Sequence, residues 1–127
     1  MSKYFLKLFY ITIIILGFLF SRNIISSDIP VGQLVDFTGP TSSVGKPFGQ
    51  GHIDAIKWIN KNGGINNRKI RLDTVDYSYK APRAVATYKR WKSRLKVITV
   101  IGWGTADTVA LMESIARDNI PFFSGSY

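Results

Sequence analysis

The sequence predicts an α/β protein with a mostly parallel sheet, and three observations carry that reading. Apolar periodicity switches between two and about 3.6 residues along the chain. Strand-like and helix-like stretches alternate in the order β-α-β-α-β-α-β. Gly, Asn and Pro stand where the period changes. Strands separated by helices of about ten to fifteen residues imply right-handed crossovers and parallel pairing.

The first strand is Ile29–Val35, ended by Thr38, Gly39 and Pro40. Residues 41–49, rich in Ser and Gly, read as a loop. A helical pattern follows from Phe48 to Asn60. Ile53, Ile56 and Ile59 form its inner stripe, widened by Ala55 and Trp58. Asn62, Gly63 and Gly64 end it in the manner of a glycine C-cap, and Asn66-Asn67 makes a turn. Lys69–Val75 alternates polar and apolar as a strand does. Ala81-Pro82 opens a second helix, whose inner face reads Val85, Tyr88, Trp91/Lys92 and Leu95. Val97–Ile101, bounded by Gly102, has the β-branched composition of a strand buried on both faces. A third helix is expected over Asp107–Arg117 with Val109, Met112 and Ile115/Ala116 inward, and Ile120–Phe123 is the last strand.

A different kind of segment precedes this alternation. Lys3 and Lys7 are followed by the apolar run Leu8–Phe20, then by a more polar stretch from Ser21 to Asp28. That order is the one of a secretory signal peptide, assigned here to residues 1–27. The apolar run is about 13 residues, about 20 Å as a helix, short of the ~30 Å hydrocarbon core. A permanent membrane anchor is therefore the weaker reading, and the membrane is met only in transit. The domain expected over 28–127 has about 100 residues, enough for one small unit burying roughly 65% of its unfolded surface. Of the 17 Lys and Arg, all but Lys3, Lys7 and Arg22 lie in it, against eight acids, so its formal charge is +6. With no cysteine there is no disulfide scaffold, no thiolate metal site and no lipoprotein attachment point.

In open parallel sheets ligands bind beyond the carboxyl ends of the strands. Here those ends are Asp36–Pro40, Asp76–Tyr79, Gly102–Thr108 and Ser124–Tyr127, rich in hydroxyl, aromatic and glycine residues. That composition suits a small polar organic molecule. Thr105 stands where the third helix begins, and free N–H groups there favour an anion such as a carboxylate. The plainer alternative is that Thr105 or Asp107 caps the helix. Ser124 and Ser126 could complete an anion site from the next strand or be ordinary loop residues, and Thr38-Gly39-Pro40 could be only a turn, its functional reading resting on its place at the end of the first strand. No Gly-Lys-Ser/Thr follows Gly102, so this is not a triphosphate loop.

Other chemistry finds little support. Seven Lys and Arg stand between Lys80 and Lys96 with Tyr88 and Trp91 among them. Nucleic-acid binding is the sharp reading and a solvated helix face the plain one. The plain one is preferred, because Tyr88 and Trp91 fit the inner stripe, and no nucleic-acid partner is expected. His52 is the sole histidine, with no paired acids near it in sequence. No nucleophile–base arrangement can be assembled, and Asp36, Asp73 and Asp76 make a weak case for acid–base catalysis. A binding protein without a cofactor or metal is expected rather than an enzyme.

The segment Val35–Gly45 (Val-Asp-Phe-Thr-Gly-Pro-Thr-Ser-Ser-Val-Gly) is followed by Gly51, Asp54-Ala55 and Ile59–Ile70 (Ile-Asn-Lys-Asn-Gly-Gly-Ile-Asn-Asn-Arg-Lys-Ile). Together they resemble the opening of the type I periplasmic binding proteins, the leucine/isoleucine/valine receptors of ABC importers. Asp76, Pro82, Ala84, Ala86 and Val100–Gly102 continue the pattern in register. The resemblance covers residues 29–127 and about the first third of a full family member. It implies a two-lobed, periplasmic protein that closes on an amino acid or related carboxylate and presents it to an inner-membrane permease. It places Thr105, where the family often has serine, on the ligand's α-carboxylate. Ser124, Ser126 and Tyr127 would add hydroxyl and backbone groups, and Val44 would border the ligand side chain. The loop Trp103–Asp107 departs from the serine-rich loop of leucine receptors and is similar to that of relatives assigned other carboxylates, including aromatic acids or amides. A ligand-sensing extracellular domain of a signalling receptor, which shares the fold, is the alternative.

The sequence stops directly after the fourth strand, inside a ligand loop. The 127-residue chain is therefore expected to be poorly stable alone and to bind weakly, with half the site missing. A cooperative thermal transition raised by leucine or another amino acid would overturn that expectation.

Overall fold

The structure is a computed structural model and describes residues 27–126. The predicted signal peptide thus lies outside the described residues but for Ser27, and so does Tyr127. Among the described residues no helix is long and apolar enough to cross a membrane.

Ile29–Val35 forms strand β1 at the centre of the sheet. Helix α1 (Ser42–Lys61) leads to β2 (Ile70–Asp76). Helix α2 (Ala81–Arg90) runs on into a π-helical turn, Trp91–Leu95, before β3 (Thr99–Ile101). Helix α3 (Thr105–Asp118) then leads to β4 (Phe122–Phe123). The strands lie in the order β2-β1-β3-β4 and every pairing is parallel.

Alternation along β1 separates the two helical layers. Gln33 Nε2 donates to the Gly49 carbonyl of α1 at 3.1 Å. Leu34, one residue on, packs instead with Tyr88, Trp91 and Leu111. Helix α1 therefore covers one face of the sheet, and α2 and α3 cover the other. The main core lies on that second face, where Tyr77, Ala84, Val97 and Val100 complete it. The chain leaves β1 toward β2 and leaves β3 toward β4, so the winding reverses between β1 and β3. In such sheets that reversal opens the crevice at the carboxyl edge.

Three local expectations change. Residues 41–49 are not a loop, because α1 already begins at Ser42. A Cβ at Gly45 would stand 2.3 Å from the Asp36 carbonyl oxygen, and one at Gly49 2.7 Å from Val35 Cγ1. The small residues let the helix lie against the end of β1, and this packing overrides their weak helix propensity. Trp58 and Ala55 do not join the inner stripe, and Trp58 is 68% exposed. In α3 the phase also differs. Asp107 and Leu111 point inward, whereas Val109, Met112 and Ala116 are exposed. A polar side chain holds the inward position in the first turn, so apolar spacing alone gives the wrong face.

The turn signals hold. The Gly64 N–H donates to Ile59 O at 2.9 Å, and Gly63 and Gly64 both have positive φ, as a left-handed helix end requires. Asn66 and Asn67 have φ of 50 and 61°, and Ile65 and Arg68 exchange two backbone hydrogen bonds across them. That is the geometry for which Asn is suited.

Replacing Gly45 by Ala is expected to destabilise the domain by about 1–3 kcal/mol, since backbone must move to admit the methyl group. Ala at the exposed Gly51, which has open space around it, should instead stabilise slightly through helix propensity. Urea denaturation of the two variants checks the contrast.

Candidate functional site

Two carboxylates shape the loops on the β1–β2 side. Asp36, fully buried, accepts from the Gly39 and Thr41 N–H groups and from Thr41 Oγ1. It thereby fixes the Thr38-Gly39-Pro40 turn. Asp76 accepts from the Phe37 N–H at 3.0 Å, the Ser78 N–H at 2.9 Å and Thr38 Oγ1 at 2.6 Å. Burial alone would raise its pKa, but hydrogen bonds from Thr38, Phe37 and Ser78 outweigh it and hold the group below its ordinary value. These acids are structural acceptors for loop donors.

A third carboxylate organises the β3–α3 side. Asp107 is fully buried. It accepts from Tyr77 Oη at 2.6 Å, the Gly104 N–H at 2.8 Å and the Trp103 N–H at 2.9 Å. Burial and this bond to Asp107 push the Tyr77 hydroxyl far above its ordinary pKa. The reach of Asp107 back to Gly104 is half of a capping box, the half a glycine N-cap permits. The N–H groups of Thr105 and Ala106 have no acceptor within the helix. Across the crevice Trp103 Nε1 donates to Thr41 Oγ1 at 2.8 Å, joining the loops after β1 and β3. The Trp103 ring lies 4.9 Å from that of Phe48 on α1.

Beside this helix end runs a chain of hydroxyls. Thr108 Oγ1 donates to Gly104 O at 2.8 Å and lies 2.8 Å from Ser124 Oγ. Ser124 Oγ lies 3.1 Å from Ser126 Oγ and accepts from the Ser126 N–H. The structure therefore brings Ser124 and Ser126 to the first turn of α3, where Thr105 stands exposed. Val44 is 60% exposed in the first turn of α1, and its N–H donates to the carbonyl of Thr41. Thr38 is committed elsewhere, bonded to Asp76 and 2.8 Å from Ser78 Oγ. Tyr127 lies outside the described residues. Thr41, Trp103 and Thr108 shape this candidate site and were not singled out by the motif reading. Trp103 and Thr108 had only their membership of a strand-end loop as a signal, and Thr41, just beyond Pro40, had none. An open groove of about 490 Å³ lined by Phe37, Lys46, Pro47 and Gln50 flanks α1 and includes none of the predicted residues.

The periplasmic binding protein family model matches residues 28–127. The chain belongs to that family. A protein of Pseudomonas aeruginosa named amino acid binding protein is 34% identical over 76 residues, 60% of this chain and 20% of the relative. An ABC transporter substrate binding protein of Aeropyrum pernix superposes with a TM-score of 0.74 at 40% identity, covering 79% of this chain and 27% of that one. A fatty acid ABC transporter substrate-binding protein of Thermomonospora curvata gives 0.73 at 22% identity, covering 80% and 26%. The chain thus spans between a fifth and under a third of the length of these proteins. The parallel sheet and its helices are those of a type I periplasmic binding protein lobe.

In this periplasmic binding protein chain part of the basic run is tied into the fold. Tyr88 and Trp91 are buried and offer no stacking surface to a base. Arg90 pairs with Asp73 at 3.0 Å, and Lys92 pairs with Asp118. Tyr88 donates to Asp118 at 2.9 Å, and its pKa is pushed up to about 12 by burial first and by that bond second. Among the described residues no group of three or more His, Asp or Glu could hold a metal ion. His52 packs edge-on against Phe48, with ring centroids 4.4 Å apart, and its Nδ1 lies 3.3 Å from Gln33 Nε2. As Gln33 Nε2 can only donate, His52 Nδ1 must be unprotonated.

Burial holds the His52 pKa below its ordinary value. Between that lowered value and the unfolded value of about 6.5, the unfolded chain binds more protons than the folded one. The His52 contribution to stability is therefore complete above the unfolded value and lost as pH falls through the folded one. Denaturant unfolding between about pH 5 and 7.5 should show this slope, and His52→Gln should flatten it.

Proposed function

We propose that this chain is the first part of the ligand-binding lobe of an exported, non-catalytic receptor of an ABC importer. Its ligand is a small carboxylate, an α-amino acid of the branched-chain or a related class, which it passes to an inner-membrane permease. The observation that carries the reading is the start of α3 at the winding reversal, with two free N–H groups and Thr105 beside the Thr108–Ser124–Ser126 chain. Helix N-termini of this kind favour a carboxylate.

The polarity of the hydroxyl chain adds a reason to prefer an amino acid over a plain acid. Thr108 spends its one proton on Gly104 O, so at the 2.8 Å contact Ser124 is the donor. Ser124 must then accept from Ser126. The Ser126 oxygen is left as an acceptor, which suits an ammonium group. The 34% identical relative named for amino acid binding supports the same class. Periplasmic localisation rests on the basic-then-apolar N-terminus together with the family.

An NMR titration at millimolar ligand reads even weak binding. A panel of branched-chain and aromatic amino acids, each with its matched amine and des-amino acid, should shift the amides of Thr105, Ala106, Ser124 and Ser126 for the amino acids first. Thr105→Ala should weaken binding about tenfold and Thr105→Ser restore it. If every amine binds as well as its acid, the proposal is wrong.

A further inference from the structure

Trp103 has both of its N–H groups committed. The backbone N–H donates to Asp107 Oδ2 at 2.9 Å, and the indole Nε1–H donates to Thr41 Oγ1 at 2.8 Å. One residue anchored at its backbone and at the far end of its side chain has little rotamer freedom left. The indole is therefore held across the crevice between the loops after β1 and β3. Its polar atoms are spent, so the half-buried ring offers a ligand only apolar π surface.

The ring meets α1 at two points seven residues apart. One is the Thr41 hydroxyl at the N-cap. The other is Phe48, whose ring centroid lies 4.9 Å away at an interplanar angle of 53°. Positions 41, 44 and 48 are spaced by three and four, which puts them on one stripe of a helical turn. The Val44 and Gly45 N–H groups both donate to Thr41 O, so the turn is already closed there. Val44, 60% exposed, thus stands on the stripe between the two contacts.

The loop after β4 reaches the same rings. A Cβ at Gly125 would stand 2.9 Å from Phe48 Cζ and 2.9 Å from the Trp103 carbonyl oxygen. The residue between Ser124 and Ser126 therefore lies directly against Phe48 and Trp103, with no side chain to hold it off. This makes one continuous surface. The free N–H groups of Thr105 and Ala106 and the Ser124–Ser126 hydroxyls adjoin a wall whose two large members are aromatic.

Packing two loops together accounts for the Phe48 contact and the Thr41 bond. An aliphatic side chain at position 103 would pack them too, without setting a rigid ring beside polar groups suited to a carboxylate and an ammonium. Such a ring discriminates among ligand side chains, because aromatic pairs in edge-to-face or offset geometry gain stabilisation beyond the area they bury. We propose that Trp103 is a specificity-determining residue, and that it selects an α-amino acid with an aromatic side chain over a branched aliphatic one. The inference rests on the receptor reading above and narrows its ligand class. The ligand carboxylate takes the N–H groups of Thr105 and Ala106, its ammonium the Ser126 oxygen, and its ring the open side of the indole.

The chain has three tryptophans, so NMR of the full chain gives three indole N–H signals to follow. Phenylalanine, tryptophan, leucine and isoleucine are titrated separately. The two aromatic amino acids should bind about fivefold more tightly than the two aliphatic ones. Their ring currents should move the indole signal of Trp103. Those of the exposed Trp58 and the fully buried Trp91 should stay in place. Trp103→Leu should abolish the preference, whereas Trp103→Phe, which keeps a ring and loses the bond to Thr41, should retain it. A tryptophan that only packs the loops would, on replacement, weaken all four ligands alike.

Equal binding of the four ligands to the unmodified chain would overturn the inference. So would an unmoved Trp103 signal, or a Trp103→Phe variant that loses the preference as fully as Trp103→Leu. If Trp103→Leu does not fold, the affinity ratio and the ring-current shift of the unmodified chain still decide. Amide shifts at Thr105 and Ala106 without any aromatic preference would remove the role of Trp103 and leave the receptor reading in place. No amide shift with any of the four would overturn both.

Discussion

The buried Asp107 carboxylate is the constraint on which the carboxyl edge of the sheet depends. It is fully removed from solvent, so each of its hydrogen bonds must be made inside the protein. Its three donors come from the residue after β2, from the loop after β3 and from the N-cap of α3. One side chain thereby fixes where α3 starts relative to two strands. The free N–H groups at that start, and the hydroxyls that reach it from the loop after β4, take their positions from this bond set. Burial and the bond to Asp107 raise the Tyr77 pKa, so its hydroxyl remains a donor to Asp107 even into alkaline solution.

The same logic recurs on the other side of the crevice. Asp36 and Asp76 accept from loop N–H and hydroxyl groups, so acids that cluster at strand ends are spent on holding loops. The Trp103–Thr41 hydrogen bond joins the two halves. The backbone amides and hydroxyls of the proposed site thus stand on supports that are already satisfied, an arrangement preorganised for binding.

Much of the fold was legible in the sequence because period and punctuation agreed. All four strands fell in or around the runs read as strands, and the Asn-Gly-Gly and Asn-Asn turns took the backbone conformations those residues favour. Ser42–Pro47 was not legible, because that helical turn is justified by contact with the end of β1 and not by its own composition. The face of α3 was misread because Asp107, a polar residue, occupies the inward position. At the candidate site, Thr105, Ser124 and Ser126 could be named from their places after strands, and the structure brings the two serines to the first turn of α3; the hydrogen bond of Thr38 to Asp76 was not legible. Thr41 and Trp103 could not be found, because their meeting depends on two loops distant in sequence.

The central position of β1 also sets the order in which the domain can form. β1 is the first strand to leave the ribosome, yet its partners begin only at Ile70 and Thr99. No strand in the sheet can pair with its neighbour in sequence without a helix in between, so early folding has few local contacts to work with. Because β1 pairs on one side with the second strand and on the other with the third, the centre of the sheet closes only once Thr99–Ile101 is available.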